Sequence, residues 1–262
     1  MTFHPARFAE IAAARRLGLG HPITFRSITG STNDDALAAA RDGAPHGALF
    51  VAESQTDGRG RRGNVWFGTP GQSALFSVLL RTNVAVERAS GLALVGGLAV
   101  RAAVQMWLRA AGQNEPVLVK WPNDVVIGGR KVCGILAESQ VRSSEVVAVV
   151  LGIGLNMGGE LPQELAETAT TLSAWGAANF TADMLVADVL TELEPRIEHF
   201  LAGGESTVAE LRAHDALVGR RVRVGAVEGI AEGINRSGSL LLRDEKGALE
   251  VVHSGHVEVP QP

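Results

Sequence analysis

The stretch that decides the fold is Lys120-Trp-Pro-Asn-Asp124, followed after a short turn by Arg130-Lys131-Val-Cys-Gly134-Ile-Leu-Ala-Glu138. Lys120 closes an apolar, strand-like run, and Lys131 opens the apolar return strand. Between them, Gly128-Gly129 suits a tight turn because glycine takes positive φ at no steric cost. We therefore predict a β-hairpin that directs two lysines and an acid-amide pair toward one place.

An arginine-rich loop lies upstream, Gln55-Thr-Asp-Gly58-Arg59-Gly60-Arg61-Arg62-Gly63-Asn-Val-Trp66. Its glycines leave backbone N–H groups accessible, and guanidinium groups form paired hydrogen bonds with carboxylate or phosphate. We expect an anionic ligand. Because the net charge is −4 and the pI about 6.0, whereas nucleic-acid-binding domains are usually basic, the arginines indicate a local site.

Composition is typical of a soluble enzyme. With 262 residues and 46% hydrophobic side chains, the chain can form one large domain and a small one. The one cysteine, Cys133, excludes a disulfide framework, so we predict a cytoplasmic location. We find no export signal and no run of about 18 apolar residues, so no membrane association is expected.

Strand and helix patterns alternate over the first four-fifths of the chain. Strands are predicted at 23–27, 48–53, 73–81 and 145–155, and helices at 35–41, 87–111 and 182–201. Ser31 to Asp34 are expected to cap the first of these helices. After Leu217 the pattern changes to short β runs, at 221–224, 229–234, 239–243 and 248–252, which predict a small all-β domain.

Other common motifs are not supported. Gly58, Gly60 and Gly63 formally match a dinucleotide-binding fingerprint, but that motif must open a helix, and residues 64–80 contain Pro70 and a β-like run. A P-loop and a serine-hydrolase elbow are absent. The close pair His253 and His256 has no accompanying acidic or cysteine cluster, so we predict no metal site built by the protein alone.

Five segments in order resemble the signature of biotin protein ligases. They are Ser31-Thr32-Asn33, Gln55 to Gly63 with Trp66, Lys120 to Asp124, Arg130-Lys131-x-x-Gly134-Ile-Leu, and Gly152-Ile-Gly-Leu-Asn156-Met157. The resemblance implies an α+β fold of the biotin/lipoate ligase type. A mixed-sheet catalytic domain would span 1–216 and a small all-β barrel 217–262. It also implies a ligase that forms biotinyl-5′-AMP from biotin and ATP with Mg²⁺. Biotin would then pass to a lysine of a biotin carboxyl carrier domain.

The same resemblance assigns site residues. Biotin binding is assigned to Ser31, Thr32, Asn33, Gln55, Arg59, Gly60, Arg61, Trp66, Lys131 and Gly134. ATP binding is assigned to Arg61, Lys120, Asn123, Asp124, Lys131 and Asn156. Lys131 and Arg61 would be catalytic. From the residues alone, Lys120, Asn123 and Asp124 could serve the triphosphate and its Mg²⁺ or brace the hairpin, and Trp66 could be a core aromatic.

Two alternatives remain open at this stage. One is a lipoate or octanoate ligase or transferase, and the other is an RNA-binding module that uses the arginine loop.

About twenty residues precede the first strand, so no DNA-binding domain is expected, and the enzyme would be a monomer or weak homodimer. Asp57, where the family usually has a small residue, could pair with Arg59 or Arg61 in the open state of the loop and weaken or slow its closure.

Overall fold

Two β-sheets organise the computed structural model, which describes residues 3–260 except 67, 69, 144, 178 and 179. The strands of the larger sheet are β1 Ile23–Thr29, β2 Leu49–Gln55, β3 Ser73–Leu80, β4 Val117–Lys120, β5 Asp124–Ile127, β6 Arg130–Arg142 and β7 Glu145–Asn156. Their order is β1-β2-β3-β7-β6-β5-β4. Because β1 and β2 run parallel and the other neighbours antiparallel, the sheet is mixed, as predicted.

Six α-helices occur in the described part of the chain. They are α1 Pro5–Arg15, α2 Thr32–Arg41, α3 Val86–Ala89, α4 Leu92–Ala110, α5 Ala182–Leu201 and α6 Glu205–Ala213. The bounds of α5 are those predicted, with Pro195 inside it. The single helix predicted at 87–111 is instead divided at 90–91. There Gly91 lies so close to the Phe200 ring of α5 that a Cβ would approach it to 2.8 Å.

The segment Val86–Ala110 is long and apolar enough to cross a membrane, judged by length and composition alone. It is not an unbroken apolar run of the kind that the sequence analysis looked for, since Arg101 and Arg109 lie within it. Burial explains the apolar run, since 83% of its most apolar window is inside the protein. Helix α4 packs against α5 and the strands β4 and β6, so it forms the centre of the main core.

The lysine hairpin is part of a three-stranded meander. β4 pairs with β5 across the turn at 121–123, and β5 pairs with β6 across Gly128 and Gly129. These glycines have φ of 56° and 77°, which confirms the predicted tight turn. Lys120 thus ends β4 and Lys131 begins β6, with Asp124 between them on β5.

The C-terminal strands form a separate antiparallel sheet. They are β8 Arg221–Val224, β9 Val227–Ile234, β10 Leu240–Arg243, β11 Leu249–Val252 and β12 Val257–Glu258, in the order β11-β10-β9-β8-β12. Their inward side chains share one apolar cluster with Leu94 and Leu98 of α4 and with Trp121 of the hairpin. The chain is therefore α+β, and the small sheet packs directly on the elements that carry the lysines.

A short connection joins the two sheets. The Val119 N–H donates to His214 O at 2.8 Å, and the Ala216 N–H donates to Val119 O at 2.9 Å, so residues 214–216 extend the larger sheet beside β4. Asp215 forms a parallel bridge with Val119 in this extension. The boundary between residues 216 and 217 stays a prediction.

Candidate active site

A cavity of about 220 Å³ lies where β4 to β7, the start of α2 and the arginine loop meet. Every site residue assigned from the sequence lines it except Asn156. The lining residues that the sequence analysis did not assign are Arg62, Asn64, Val65, Leu75, Trp121, Pro122, Ile135, Leu136, Gly152, Ile153, Gly154, Gly255, His256 and Val257. The fold therefore gathers segments that are up to about two hundred residues apart in sequence.

One end of the cavity is polar and is built on the first turn of α2. The backbone N–H of Thr32 donates to Gln55 Oε1 at 2.8 Å, and the Thr32 hydroxyl lies 3.1 Å from the same oxygen. Helix α2 begins three residues earlier than predicted, so Thr32 and Asn33 belong to it. Ser31 is the N-cap, but its side chain makes no capping hydrogen bond. The Ser31 hydroxyl is therefore not used for capping.

Asn33 connects this end to the sheet. Its Nδ2 donates to Glu138 Oε2 at 2.6 Å, and its Oδ1 lies 2.6 Å from Ser77 Oγ. A Cβ at Gly152 would lie 2.1 Å from Asn33 Oδ1, so a side chain at that position would displace the amide. The strand order β3-β7-β6 brings these groups together, and no motif in the sequence marks Ser77 or Glu138.

The arginine loop is a miniature hairpin. The Gly60 N–H donates to Asn64 O at 2.7 Å, and the Trp66 N–H donates to Gly58 O at 2.8 Å. A Cβ at Gly58 would lie 2.8 Å from Trp66 O, so glycine permits this close return. Since the segment after Gly63 leads into β3 and not a helix, the structure also excludes a dinucleotide-binding fingerprint here.

Arg59 ties this loop to α2. Its Nη1 donates to Asp34 Oδ2 and its Nη2 donates to Asp34 Oδ1, both at 2.6 Å. Nη2 also lies 3.5 Å from Glu138 Oε2. Hydrogen bonding to Arg59 lowers the pKa of Asp34. In this structure Arg59 pairs with Asp34, and the Asp57 carboxylate accepts from the Thr56 hydroxyl at 2.9 Å. A pairing of Asp57 in the open state of the loop stays a prediction.

Trp66 lies on two glycines of the sheet. A Cβ at Gly154 of β7 would be 2.4 Å from its indole, and a Cβ at Gly134 of β6 would be 2.9 Å away. Its Nε1 is buried without a hydrogen-bond partner among the described residues. Trp66 is therefore a wall of the cavity and not part of the main core. The missing side chains at 134 and 154 provide the room it occupies.

The cations of the cavity differ in their pairing. Lys131 Nζ lies 2.6 Å from Asp124 Oδ1 and 5.3 Å from the centre of a Trp66 ring. Within the described residues, no carboxylate lies within ion-pair distance of Arg61. Burial, and secondarily the charge of Arg62, lowers the pKa of Arg61. Asp124 acts on Arg61 only through longer-range attraction, so an anionic ligand would supply a closer countercharge.

Two predicted asparagines brace the structure. Asn123 Nδ2 donates to Ile135 O at 2.7 Å, and its backbone oxygen accepts from the Ile135 N–H at 2.9 Å, so it links β5 to β6 while lining the cavity. Asn156 is buried, and its Nδ2 donates to Thr170 O at 3.2 Å. The nucleotide contact assigned to Asn156 stays a prediction.

The described lining of the cavity offers one carboxylate to a magnesium ion. In the described ranges, no group of three or more His, Cys, Asp or Glu side chains is placed to hold a metal. Asp124 is the carboxylate among the described lining residues. Since Mg²⁺ in nucleotide sites is usually held by one or two carboxylates and by phosphate oxygens, Asp124 fits an ion that arrives with a triphosphate.

The sequence matches family models in both its larger and its C-terminal part. A sequence model of the biotin/lipoate A/B protein ligase family matches residues 27–156, and one of the biotin protein ligase C-terminal domain matches residues 218–259. A biotin–acetyl-CoA-carboxylase ligase of Mycobacterium tuberculosis is 40% identical over 236 residues, which cover 87% of this chain and 85% of that protein. The chain belongs to the biotin protein ligase family.

Other biotin protein ligases extend the likeness to nearly the whole chain. The bifunctional ligase/repressor BirA of Bacillus subtilis is 32% identical over 249 residues, which cover 92% of this chain and 75% of that protein. The structure of the biotin protein ligase of Aquifex aeolicus in complex with biotin and ATP superimposes with a TM-score of 0.77 at 26% identity. It covers 92% of this chain and 100% of its own.

The match at 218–259 separates the biotin branch from the lipoate alternative. The family that matches 27–156 includes lipoate ligases, whereas the C-terminal match is specific to biotin protein ligases. Gly255, His256 and Val257 of this segment line the cavity. The C-terminal sheet of this ligase therefore belongs to the site, which the sequence analysis missed because nothing in its short β runs distinguishes a cavity wall.

Proposed function

We propose that this protein activates biotin with ATP and transfers biotin to a lysine of a biotin carboxyl carrier domain. In the first step a biotin carboxylate oxygen bonds to the α-phosphorus of ATP, and pyrophosphate leaves. In the second, the carrier lysine amine attacks the acyl carbon of biotinyl-5′-AMP, loses a proton and releases AMP. The observation that carries the proposal is one cavity with a polar end, an aromatic wall and an array of cations.

The polar end of the cavity suits the ureido group of biotin. Ser31, Thr32 and Asn33 at the start of α2 offer hydroxyl and amide groups, and Gln55 at the end of β2 adds a second amide. The part of the cavity beside Trp66, which we call the slot, suits an apolar acyl chain. The chain can pack along the face of the indole that lines the cavity, while the indole itself rests on Gly134 and Gly154.

The cations suit the reacting end. Two anions must approach each other in the first step, and positioned positive charge offsets their repulsion. Lys131 lies between the slot and Asp124, so we assign it the carboxylate and the α-phosphate. Arg61 and Lys120 would bind the phosphates, and the backbone at Arg59 and Gly60 would face the ligand. The Mg²⁺ bound to ATP would neutralise phosphate charge beside Asp124.

The partner and setting follow from the same proposal. The acceptor is a carrier domain of a biotin-dependent carboxylase, and the enzyme acts in the cytoplasm as a monomer or weak homodimer.

Burial raises the pKa of the Cys133 thiol, so this residue stays protonated and unreactive at neutral pH.

One reaction tests the proposed function. The purified protein is incubated with biotin, MgATP and a carrier domain, and protein-bound biotin is measured with labelled avidin. Parallel reactions omit ATP, replace biotin with lipoate or octanoate, or replace the acceptor lysine with arginine. Labelling only when biotin, ATP and the lysine are all present is expected. Labelling with lipoate in place of biotin, or RNA binding without ligation, would contradict the proposal.

A further inference from the structure

A charged cluster at the edge of the cavity holds the arginine loop. It consists of Asp34, Arg59 and Glu138, which we call the clasp. Arg59 meets both carboxylate oxygens of Asp34 at 2.6 Å, the two-pronged geometry that gives guanidinium–carboxylate pairs their directional strength. Asp34 does not line the cavity, so its carboxylate is not placed to meet the ligand.

The clasp connects the loop to fixed parts of the fold. Asp34 lies in the first turn of α2, directly after Asn33. Glu138 accepts a hydrogen bond from Asn33, whose other amide atom lies 2.6 Å from the buried Ser77 hydroxyl. A chain of polar contacts thus runs from the sheet to Arg59, and Arg59 is the member that belongs to the loop.

The internal bonding of the loop makes Arg59 decisive for its position. Arg59 pairs with Val65 in an antiparallel bridge, and the Gly60 and Trp66 N–H groups close the miniature hairpin. A hairpin closed in this way moves as a unit. Fixing the Arg59 side chain therefore also fixes Arg61 at the tip and Trp66 at the base.

We propose that Asp34, supported by Glu138, is a positioning residue that keeps the arginine loop over the bound acyl-adenylate. The inference rests on the proposed function, since the adenylate is the ligand to be covered. Asp34 touches the loop and not the reacting atoms. Because the Asp34 and Arg59 side chains are 52% and 37% exposed, water and salt screen the pair, and the closed loop is favoured by about two- to five-fold.

The test uses Asp34→Asn, which keeps the shape of the side chain and removes its charge. Biotinyl-5′-AMP is formed on the enzyme without acceptor, and its release is followed after rapid dilution. We expect release to be about two- to five-fold faster than in the parent. In the ligand-free enzyme, trypsin should cleave after Arg59, Arg61 or Arg62 faster by a similar factor.

Asp35→Asn is the matched control. Asp35 lies in the same helix turn, but its carboxylate accepts from the Thr29 hydroxyl at 2.7 Å and faces Arg26 at 3.4 Å, away from the loop. This variant changes the same charge at the same helix terminus. Release and loop cleavage should stay at parent rates, and an equal increase in both variants would overturn the proposal.

A double-mutant cycle separates positioning from a general structural effect. Once Arg59→Gln has removed the loop half of the clasp, adding Asp34→Asn should not speed release further. The difference between Asp34→Asn and the parent should also shrink at 1 M salt. Two outcomes would overturn the proposal for the clasp without touching the proposed function. One is additive effects of the two substitutions on release, and the other is unchanged release from an Asp34→Asn enzyme that still makes adenylate. Failure of the parent enzyme to make adenylate would instead overturn the proposed function.

Discussion

Lys131 is the cation nearest both to the aromatic slot and to Asp124. If its ammonium bridges carboxylate and α-phosphate, Lys131→Ala should slow adenylate formation by roughly 10²-fold or more, as loss of one key electrostatic group does. Pyrophosphate release measures this step. Lys246→Ala, in a turn of the C-terminal sheet, is the control and should stay at the parent rate. A folded Lys131→Ala enzyme with near-normal pyrophosphate release would remove Lys131 from the mechanism.

Gly154 sets the width of the slot. A methyl group there would lie 2.4 Å from the Trp66 indole, so Gly154→Ala must displace Trp66 or strain β7. We expect a loss of about 1–3 kcal/mol in the free energy of unfolding or an equivalent loss in biotin affinity. Urea unfolding and calorimetric titration with biotin measure the two. Gly30→Ala is the control, because its new methyl would meet Asp57 at an ordinary 3.6 Å. Unchanged stability and affinity at Gly154 would show that the slot is wider than the structure indicates.

At the scale of elements, the arginine loop is the part expected to respond to ligand. The Arg61 and Arg62 guanidinium groups repel each other, and among the described residues neither forms an ion pair, so a bound anion would supply the close countercharge. Biotin with MgATP should therefore reduce trypsin cleavage between Arg59 and Arg62. Mass spectrometry of the fragments locates the cuts. Equal cleavage with and without ligand, once binding is established by calorimetry, would mean that the ligand does not order the loop.

The elements also show how far sequence reasoning reaches. The hairpin was predictable because Gly128 and Gly129 and the apolar runs around them are local signals. Helix α5 was predictable because its periodic apolar face spans twenty residues. The contacts of Asn33 with Ser77 and Glu138 were not, since they depend on the strand order β3-β7-β6. The Asp34–Arg59 pair was missed because it depends on the parallel pairing of β1 with β2, which places the residues that follow Thr29 beside those that follow Gln55.

At the scale of the whole molecule, the joint between the sheets contains a titrating group. Asp215 accepts from the Leu217 N–H at 2.8 Å, yet burial raises the pKa of its carboxyl to about 6. An unfolded aspartate titrates near 3.9, so the folded chain holds this proton more tightly. Protonated Asp215 therefore contributes to the free energy of unfolding. This contribution, at most about 3 kcal/mol, is complete below about pH 4 and is lost as pH rises through about 6.

Asp215→Asn makes this pH dependence measurable. The variant cannot ionise at this position, so its free energy of unfolding should gain on that of the parent as pH rises from about 4.5 to about 7.5. Chemical denaturation of both proteins across this range gives the difference. A difference that stays constant with pH would show that Asp215 does not titrate in this window.

Trp121 lies in the turn between Lys120 and Asn123, and its indole Nε1 donates to Gly238 O of the C-terminal sheet at 2.9 Å. A substitution in the C-terminal sheet can therefore change the position of the turn in the larger sheet. A random-mutagenesis screen for poor use of ATP should return substitutions in β9 and β10 that touch no substrate, because they shift the turn through Trp121. Second-site suppressors of such alleles should map to α4, whose Leu94 and Leu98 belong to the same apolar cluster as Trp121.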